Sequence, residues 1–373
     1  MLAAAEEWSA AVWREATAAG PLTSGPEQVD RGIGLAAQPV FLCGAHRSGT
    51  TLLRDLLDDH PHLCVLPSEG TFLTSLSKRL HRMSAEEWCG FLTREWLRRL
   101  ANPIGREPFW CLGRSTEHAA PYVEYARRAQ GWWPLSRDIL GDRNRLWPHV
   151  AIVLAYDASR PRTAESRPAR HWVDKTPTHE LYLETLLQAF PSARVIQMIR
   201  DPRAVVASRR ELEDRARGRL ARPDRLLREL RASMRIALEA EGRPNHLVVR
   251  YEDLVSSPER ELKRVARFLD LAPHEALYRT TVAGRLAGSN SSFDVTVEAG
   301  AIHSDGAADR RVSEDDDRLV AAYLGNIPTQ LGYEASRIGP ARASLTRLRF
   351  DAVGRWHALR GRVTGIRGRM GRR

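Results

Sequence analysis

Lysine is almost absent from this 373-residue chain: of its 57 basic residues only Lys78, Lys175 and Lys263 are lysines. A lysine kept at a special position therefore calls for a chemical reason, since lysine is a compact, flexible point charge and arginine is a rigid fork. No apolar run is long enough to cross a membrane. Cysteine is scarce too, with four residues at Cys43, Cys64, Cys89 and Cys111. They form no C-x-x-C pair and have no histidine at metal-ligand spacing, which argues against a zinc ribbon or disulfide framework and predicts buried, reduced thiols. The opening Met-Leu-Ala-Ala-Ala-Glu-Glu-Trp lacks the basic start of a secretory signal, so a cytoplasmic location is expected.

Charge is unevenly placed. Residues 337–373 hold eleven arginines against one acid, Asp351, a local +10 of the chain's +11. The remainder is close to neutral and carries no nucleic-acid-binding motif, so no nucleic-acid partner is expected of it. In the tail, Leu345, Leu348, Ala352, Trp356, Leu359, Val363, Ile366 and Met370 recur at three- and four-residue steps between arginines. That is the pattern of a basic amphipathic helix able to contact an anionic membrane surface. Gly354, Gly361, Gly365, Gly368 and Gly371 oppose it, and docking of Trp356 onto the body or plain disorder is the alternative.

What is present is a phosphate loop with one residue changed. Gly44-Ala45-His46-Arg47-Ser48-Gly49-Thr50-Thr51 keeps the spacing of G-x-x-x-x-G-K-[ST], but Thr50 stands where the lysine that reaches the β- and γ-phosphates belongs. The positive charge has moved to Arg47. Apolar Val40–Cys43 precedes the loop as a buried strand, and Thr50–Leu57 follows at helical spacing. Strand, glycine loop and helix together aim backbone N–H groups and a helix N-terminus at an anion. The loop suits a nucleotide without a γ-phosphate.

Three further strands are predicted at residues 171–174, 193–199 and 246–250, separated by helices at 178–190, 202–213 and 225–241. Residues 1–37 read as a helical extension ending in Gly-Pro punctuation, residues 38–336 as the catalytic domain, and 337–373 as the basic tail. Residues 76–165 are expected to be mostly helical and hold six of the ten tryptophans; Trp132-Trp133 and their neighbours either line an apolar or sugar-stacking pocket or fill the helical core, and most of them are read as core. Alternating strands and helices predict an α/β, three-layer fold with a central, mostly parallel sheet flanked by helices. Ligands then gather beyond the carboxyl ends of the strands, where Gly44, Lys175, Arg200 and Tyr251 all fall.

Lys175, in Asp174-Lys175-Thr176-Pro177, supplies a mobile ammonium at a strand end, able to follow charge onto a departing oxygen. Arg200-Asp201-Pro202-Arg203 opens a helix in which Ser208 lies two turns on; arginine and hydroxyl suit a second, separate phosphate. Asp201 is expected to cap that helix, and Arg203 to lie on a solvated face. Tyr251, in Tyr251-Glu252-Asp253-Leu254, faces either the nucleotide or the core, and Ser257 reads as the cap of the next helix.

Together these segments resemble the sulfotransferase family that uses 3′-phosphoadenosine-5′-phosphosulfate (PAPS), its Golgi-type and bacterial branches above all, over residues 38–335. The resemblance implies that Arg47 and the backbone of Ser48, Gly49, Thr50 and Thr51 hold the 5′-phosphosulfate. It implies that Arg200 and Ser208 hold the 3′-phosphate, with 3′-phosphoadenosine-5′-phosphate (PAP) as the product and no metal required. Lys175 would stabilise the leaving group. Glu69, in Pro67-Ser68-Glu69-Gly70-Thr71, stands where related enzymes place a catalytic base, ahead of His60, His62 and His118. Ser291, in Ser289–Phe293, matches a segment that closes over the nucleotide. Arg310-Arg311 lies where relatives carry a basic residue near the 3′-phosphate, without the aromatic that accompanies it.

The expected activity is transfer of a sulfuryl group to a hydroxyl or amine of a small-molecule, carbohydrate or glycolipid acceptor. One alternative is a P-loop small-molecule kinase, opposed by Thr50 and by the lack of a strand-end aspartate for magnesium. The other is a non-enzymatic nucleotide- or nucleic-acid-binding protein.

Overall fold

The computed structural model describes residues 2–76, 83–101, 110–113, 119–141, 146–161, 167–217, 223–287, 299–302, 313–334, 338–339, 341 and 343–348. The chain divides into two compact units. The first comprises residues 1–44, 49–198 and 242–303, and the second residues 45–48, 199–241 and 304–373.

The first unit is built on a five-stranded sheet: β1 (Pro39–Gly44), β2 (Leu63–Val65), β3 (His171–Lys175), β4 (Arg194–Ile199) and β5 (His246–Arg250), in the order β2-β3-β1-β4-β5. The β2–β3, β3–β1 and β1–β4 pairs are parallel. Parallel strands need crossover helices, which cover both faces and favour near-continuous apolar runs. The burial shows this: every residue of β1 is buried.

Side chains alternate across the sheet. Phe41, Cys64 and Trp172 enter one core, with α1 (Leu2–Ala19), α2 (Pro26–Ala36), α4 (Ala85–Ala101), α5 (Ala120–Leu140) and α6 (Trp147–Ser159) over it. Val40, Leu42, Leu63, Val65 and Val173 enter the other, with α3 (Thr50–Leu57), α10 (Tyr251–Ser256) and α11 (Pro258–Phe268). Trp88, Trp96, Trp132 and Trp147 are buried, as core tryptophans should be, and all four cysteines are buried free thiols. No described helix is long and apolar enough to cross a membrane.

The second unit holds α8 (Pro202–Arg217), α9 (Pro223–Glu239), α12 (Glu314–Leu324) and α13 (Ile327–Gln330). Ser313 caps α12 in a reciprocal box with Asp316, whose carboxylate also pairs with Arg210 at 2.5 Å.

Several local expectations needed correction. The Gly-Pro punctuation after α1 is followed by a second helix, α2, opened by Pro26 at its first turn. The short apolar run at Leu63–Val65 is a fifth strand, too short for its alternation to be read. The helix expected from residue 178 starts as a 3₁₀ turn, His179–Tyr182, and becomes α7 (Leu183–Ala189), because Thr178 sits at φ 66° and cannot be helical. Ser257 makes no side-chain cap bond; Pro258 and the acids Glu259 and Glu261 in the first turn favour the α11 start instead. Asp201 does accept the Arg203 N–H at 2.8 Å, but the Arg203 guanidinium folds back onto the same carboxylate at 2.7 Å and is half-buried, not solvated.

Candidate active site

In the first unit, β1 ends at Gly44 and α3 starts at Thr50. Gly49, at φ 90°, precedes α3, and a Cβ there would lie 2.4 Å from Cδ2 of Tyr251. Glycine alone allows both that backbone and that approach. Tyr251 is buried among the residues of the α3 core, so of its two readings the ring serves the core while also flooring the loop. Thr50 is buried and Thr51 half-buried at the α3 N-terminus, whose first N–H groups have no intrahelical partner.

The exit of β3 is stitched to the exit of β1. Leu42 is the register partner of Lys175, the Thr176 N–H donates to Leu42 O at 3.0 Å, and the Thr178 N–H donates to Gly44 O at 2.9 Å. The Gly44 N–H in turn donates to Glu180 Oε2 at 2.9 Å. Lys175 is thereby held at the end of β3, 3% exposed, and its Nζ donates to Glu69 Oε1 at 2.6 Å. Burial pushes the Lys175 ammonium below its ordinary pKa while Glu69 pulls it back up. The two residues expected to carry chemistry are thus in direct contact.

Beneath them lies a buried charge cluster that the sequence reading passed over. Arg54 donates to Asp55 Oδ1 at 2.7 Å and to Pro67 O at 3.0 Å. Burial raises the Asp55 carboxyl to about 6, against the pull of Arg54. Asp58, also raised by burial, accepts the Gly284 N–H at 2.8 Å. Arg54 and Asp55 lie in the middle of a short amphipathic helix pattern, where charges ordinarily read as surface.

In the second unit, Arg47 has φ 73°, an uncommon conformation for a residue with a Cβ and one that clusters in functional loops. Its Nε donates to Ser208 Oγ at 3.0 Å, and Arg200 Nη1 donates to the Arg47 carbonyl at 3.0 Å. Arg200 and Ser208 are buried. Arg47, expected apart from Arg200 and Ser208, forms one hydrogen-bonded cluster with them. Ser48 is 1% exposed, and its Oγ has no partner among the described residues.

Ser291, Arg310 and His118 lie outside the described residues, as do residues 349–373 of the tail. Of the other alternative bases, His60 is buried with a ring nitrogen 3.3 Å from Ala272 O, and burial lowers its pKa to about 4 against the pull of that carbonyl. Among the described residues no three His, Cys, Asp or Glu side chains are grouped to hold a metal ion.

A parallel α/β sheet opening through a glycine loop into a helix, with a buried lysine at the neighbouring strand end, defines a phosphate-loop group-transfer enzyme. Comparison with known proteins narrows the class. The model of the "Sulfotransferase family" matches residues 39–275, well over half of the chain, and the protein belongs to that family. It is a sulfotransferase. The omega-hydroxy-beta-dihydromenaquinone-9 sulfotransferase Stf3 of Mycobacterium tuberculosis is 25% identical over 344 residues, covering 83% of this chain and 78% of that protein. A putative protein-tyrosine sulfotransferase of Caenorhabditis briggsae is 24% identical over 246 residues, covering 63% of this chain and 66% of that protein. Among solved structures, the sulfotransferase domain from the curacin biosynthetic pathway is 19% identical with a TM-score of 0.44, covering 79% of this chain and 98% of that domain.

Proposed function

We propose that this sulfotransferase takes its sulfuryl group from PAPS and passes it to a hydroxyl or amine of a small-molecule, carbohydrate or glycolipid acceptor. The observation that carries the reading is the 2.6 Å contact of Lys175 and Glu69 at the end of β3, beside the strand that opens into the phosphate loop. The loop fits an anionic ligand by its chemistry: Ser48 brings a buried hydroxyl with no partner among the described residues, and Gly49 brings a backbone without a Cβ of its own.

The donor supplies an electrophilic sulfuryl group and a phosphate leaving group. Arg47, the Ser48 hydroxyl and the N–H groups through Thr51 hold its 5′ end, and Arg200 with Ser208 holds the 3′-phosphate. Glu69 takes the acceptor proton as the acceptor oxygen bonds to sulfur. Lys175 meets the charge left on the phosphate oxygen as the old S–O bond breaks. The named activity of the mycobacterial relative supports a lipophilic hydroxyl as the acceptor. The protein works in the cytoplasm, its basic tail offering contact with anionic membrane.

Isothermal titration calorimetry tests the donor. PAP binds without added metal, and Arg200→Ala weakens it at least tenfold, about 1.4 kcal/mol or more. Tight, magnesium-dependent binding of ATP in place of PAP would overturn the assignment.

A further inference from the structure

Neighbouring residues of a strand point to opposite faces, so Asp174 and Lys175 leave β3 on opposite sides. One short loop touches both. Glu69 meets Lys175 at 2.6 Å, and the N–H of the next residue, Gly70, donates to Asp174 Oδ1 at 3.1 Å. The Thr71 N–H donates to Thr176 Oγ1 at 3.2 Å, and that hydroxyl donates to the same Asp174 oxygen at 2.8 Å. A Cβ on Gly70 would stand 2.0 Å from Asp174 Oδ2, so only glycine lets the loop backbone seat on the carboxylate. Asp174 is fully buried with His149 Nε2 3.0 Å away.

The other side of the loop is held by α4. Arg99 Nη1 donates to the Glu69 carbonyl, and Arg99 Nη2 donates to Thr71 Oγ1 at 3.1 Å. The Arg99 guanidinium is itself fixed, lying 5.6 Å from the Trp96 ring centroid and 4.0 Å from Glu95, with 17% of its side chain exposed. The Glu69 side chain is more open, at 39%. An exposed glutamate on a three-residue loop has several rotamers to choose from, and a loop pinned on both flanks removes most of that freedom.

We infer that Arg99 is a positioning residue for sulfuryl transfer: it locks the backbone of residues 69–71 against β3 so that the Glu69 carboxylate stays presented at Lys175. The inference rests on Glu69 as the base. It adds a residue from a helix thirty positions downstream whose guanidinium acts through Glu69 rather than on the substrates.

The test is a double-mutant cycle on the full-length protein, reading kcat, KM for the donor and calorimetric PAP affinity. Arg99→Ala is expected to lower kcat by about 10- to 100-fold with PAP affinity held within about twofold, and Arg99→Lys to recover part of the loss. In a Glu69→Gln background, Arg99→Ala should cost less than about twofold more, because residues acting as one unit are not additive. An undiminished loss in that background, or a fall in PAP affinity parallel to kcat, marks Arg99 as a merely structural residue and overturns the proposal. So does wild-type kcat in Arg99→Ala. Full activity of Glu69→Gln alone instead overturns the base assignment, so the two failures are read from different variants.

Discussion

The ammonium of Lys175 and the carboxylate of Glu69 meet at 2.6 Å, although 106 positions separate them in sequence. Lys175 is almost wholly buried, and its principal counter-charge is more exposed. Such a pair is poor evidence of stability, since burial of a charge offsets much of the gain from pairing. Under the proposed mechanism it is a charge stored where transfer needs it, in a chain with only three lysines.

Lys175→Ala should therefore lower kcat by roughly 10²- to 10³-fold while PAP affinity stays near that of the unaltered protein. Single-turnover transfer from labelled donor, paired with calorimetry, separates the two effects. Equal loss of turnover and affinity would make Lys175 a binding residue.

Gly49→Ala places a methyl 2.4 Å from Tyr251 at φ 90°. The expected cost is about 1–3 kcal/mol of stability, from backbone strain and collision together. Urea denaturation measures it, and in a Tyr251→Ala background the further cost of Gly49→Ala should fall to the backbone-strain part alone. No change in midpoint for Gly49→Ala would show that the loop adjusts freely.

His179 is fully buried beside Asp174 and His149, and burial lowers its pKa from 6.5 to about 4. Between those values the unfolded chain protonates this ring and the folded protein does not. Stability is therefore unaffected above pH 6.5, and it falls as pH drops toward 4, by at most about 3 kcal/mol. His179→Gln should flatten that part of the stability–pH curve. An unchanged slope between pH 6.5 and 4 means that other groups carry the acid sensitivity.

Deleting residues 337–373 should abolish binding to vesicles containing phosphatidylserine and spare activity on a soluble acceptor. Co-sedimentation reads the first and a transfer assay the second. Failure of the intact protein to sediment with the vesicles ends the membrane proposal.

The sequence by itself determined the frame. Local signals carried β1, the Gly44–Thr51 loop and α3, because backbone freedom at glycine and apolar runs are properties of short segments. The rarity of lysine singled out Lys175, and strand–helix alternation was enough to predict a parallel sheet. Tertiary structure alone decided what meets what. Register set Lys175 beside Leu42, and period-two alternation turned Asp174 to the opposite face. Arg99 was one arginine among many until α4 laid its guanidinium on the Glu69 loop. Nothing local marks Arg54 and Asp55 as buried charges; the packing of the helix that carries them decides it. Hydrogen bonds between distant segments leave no periodicity in sequence, so a loop clasped from two sides is visible only once the chain has folded.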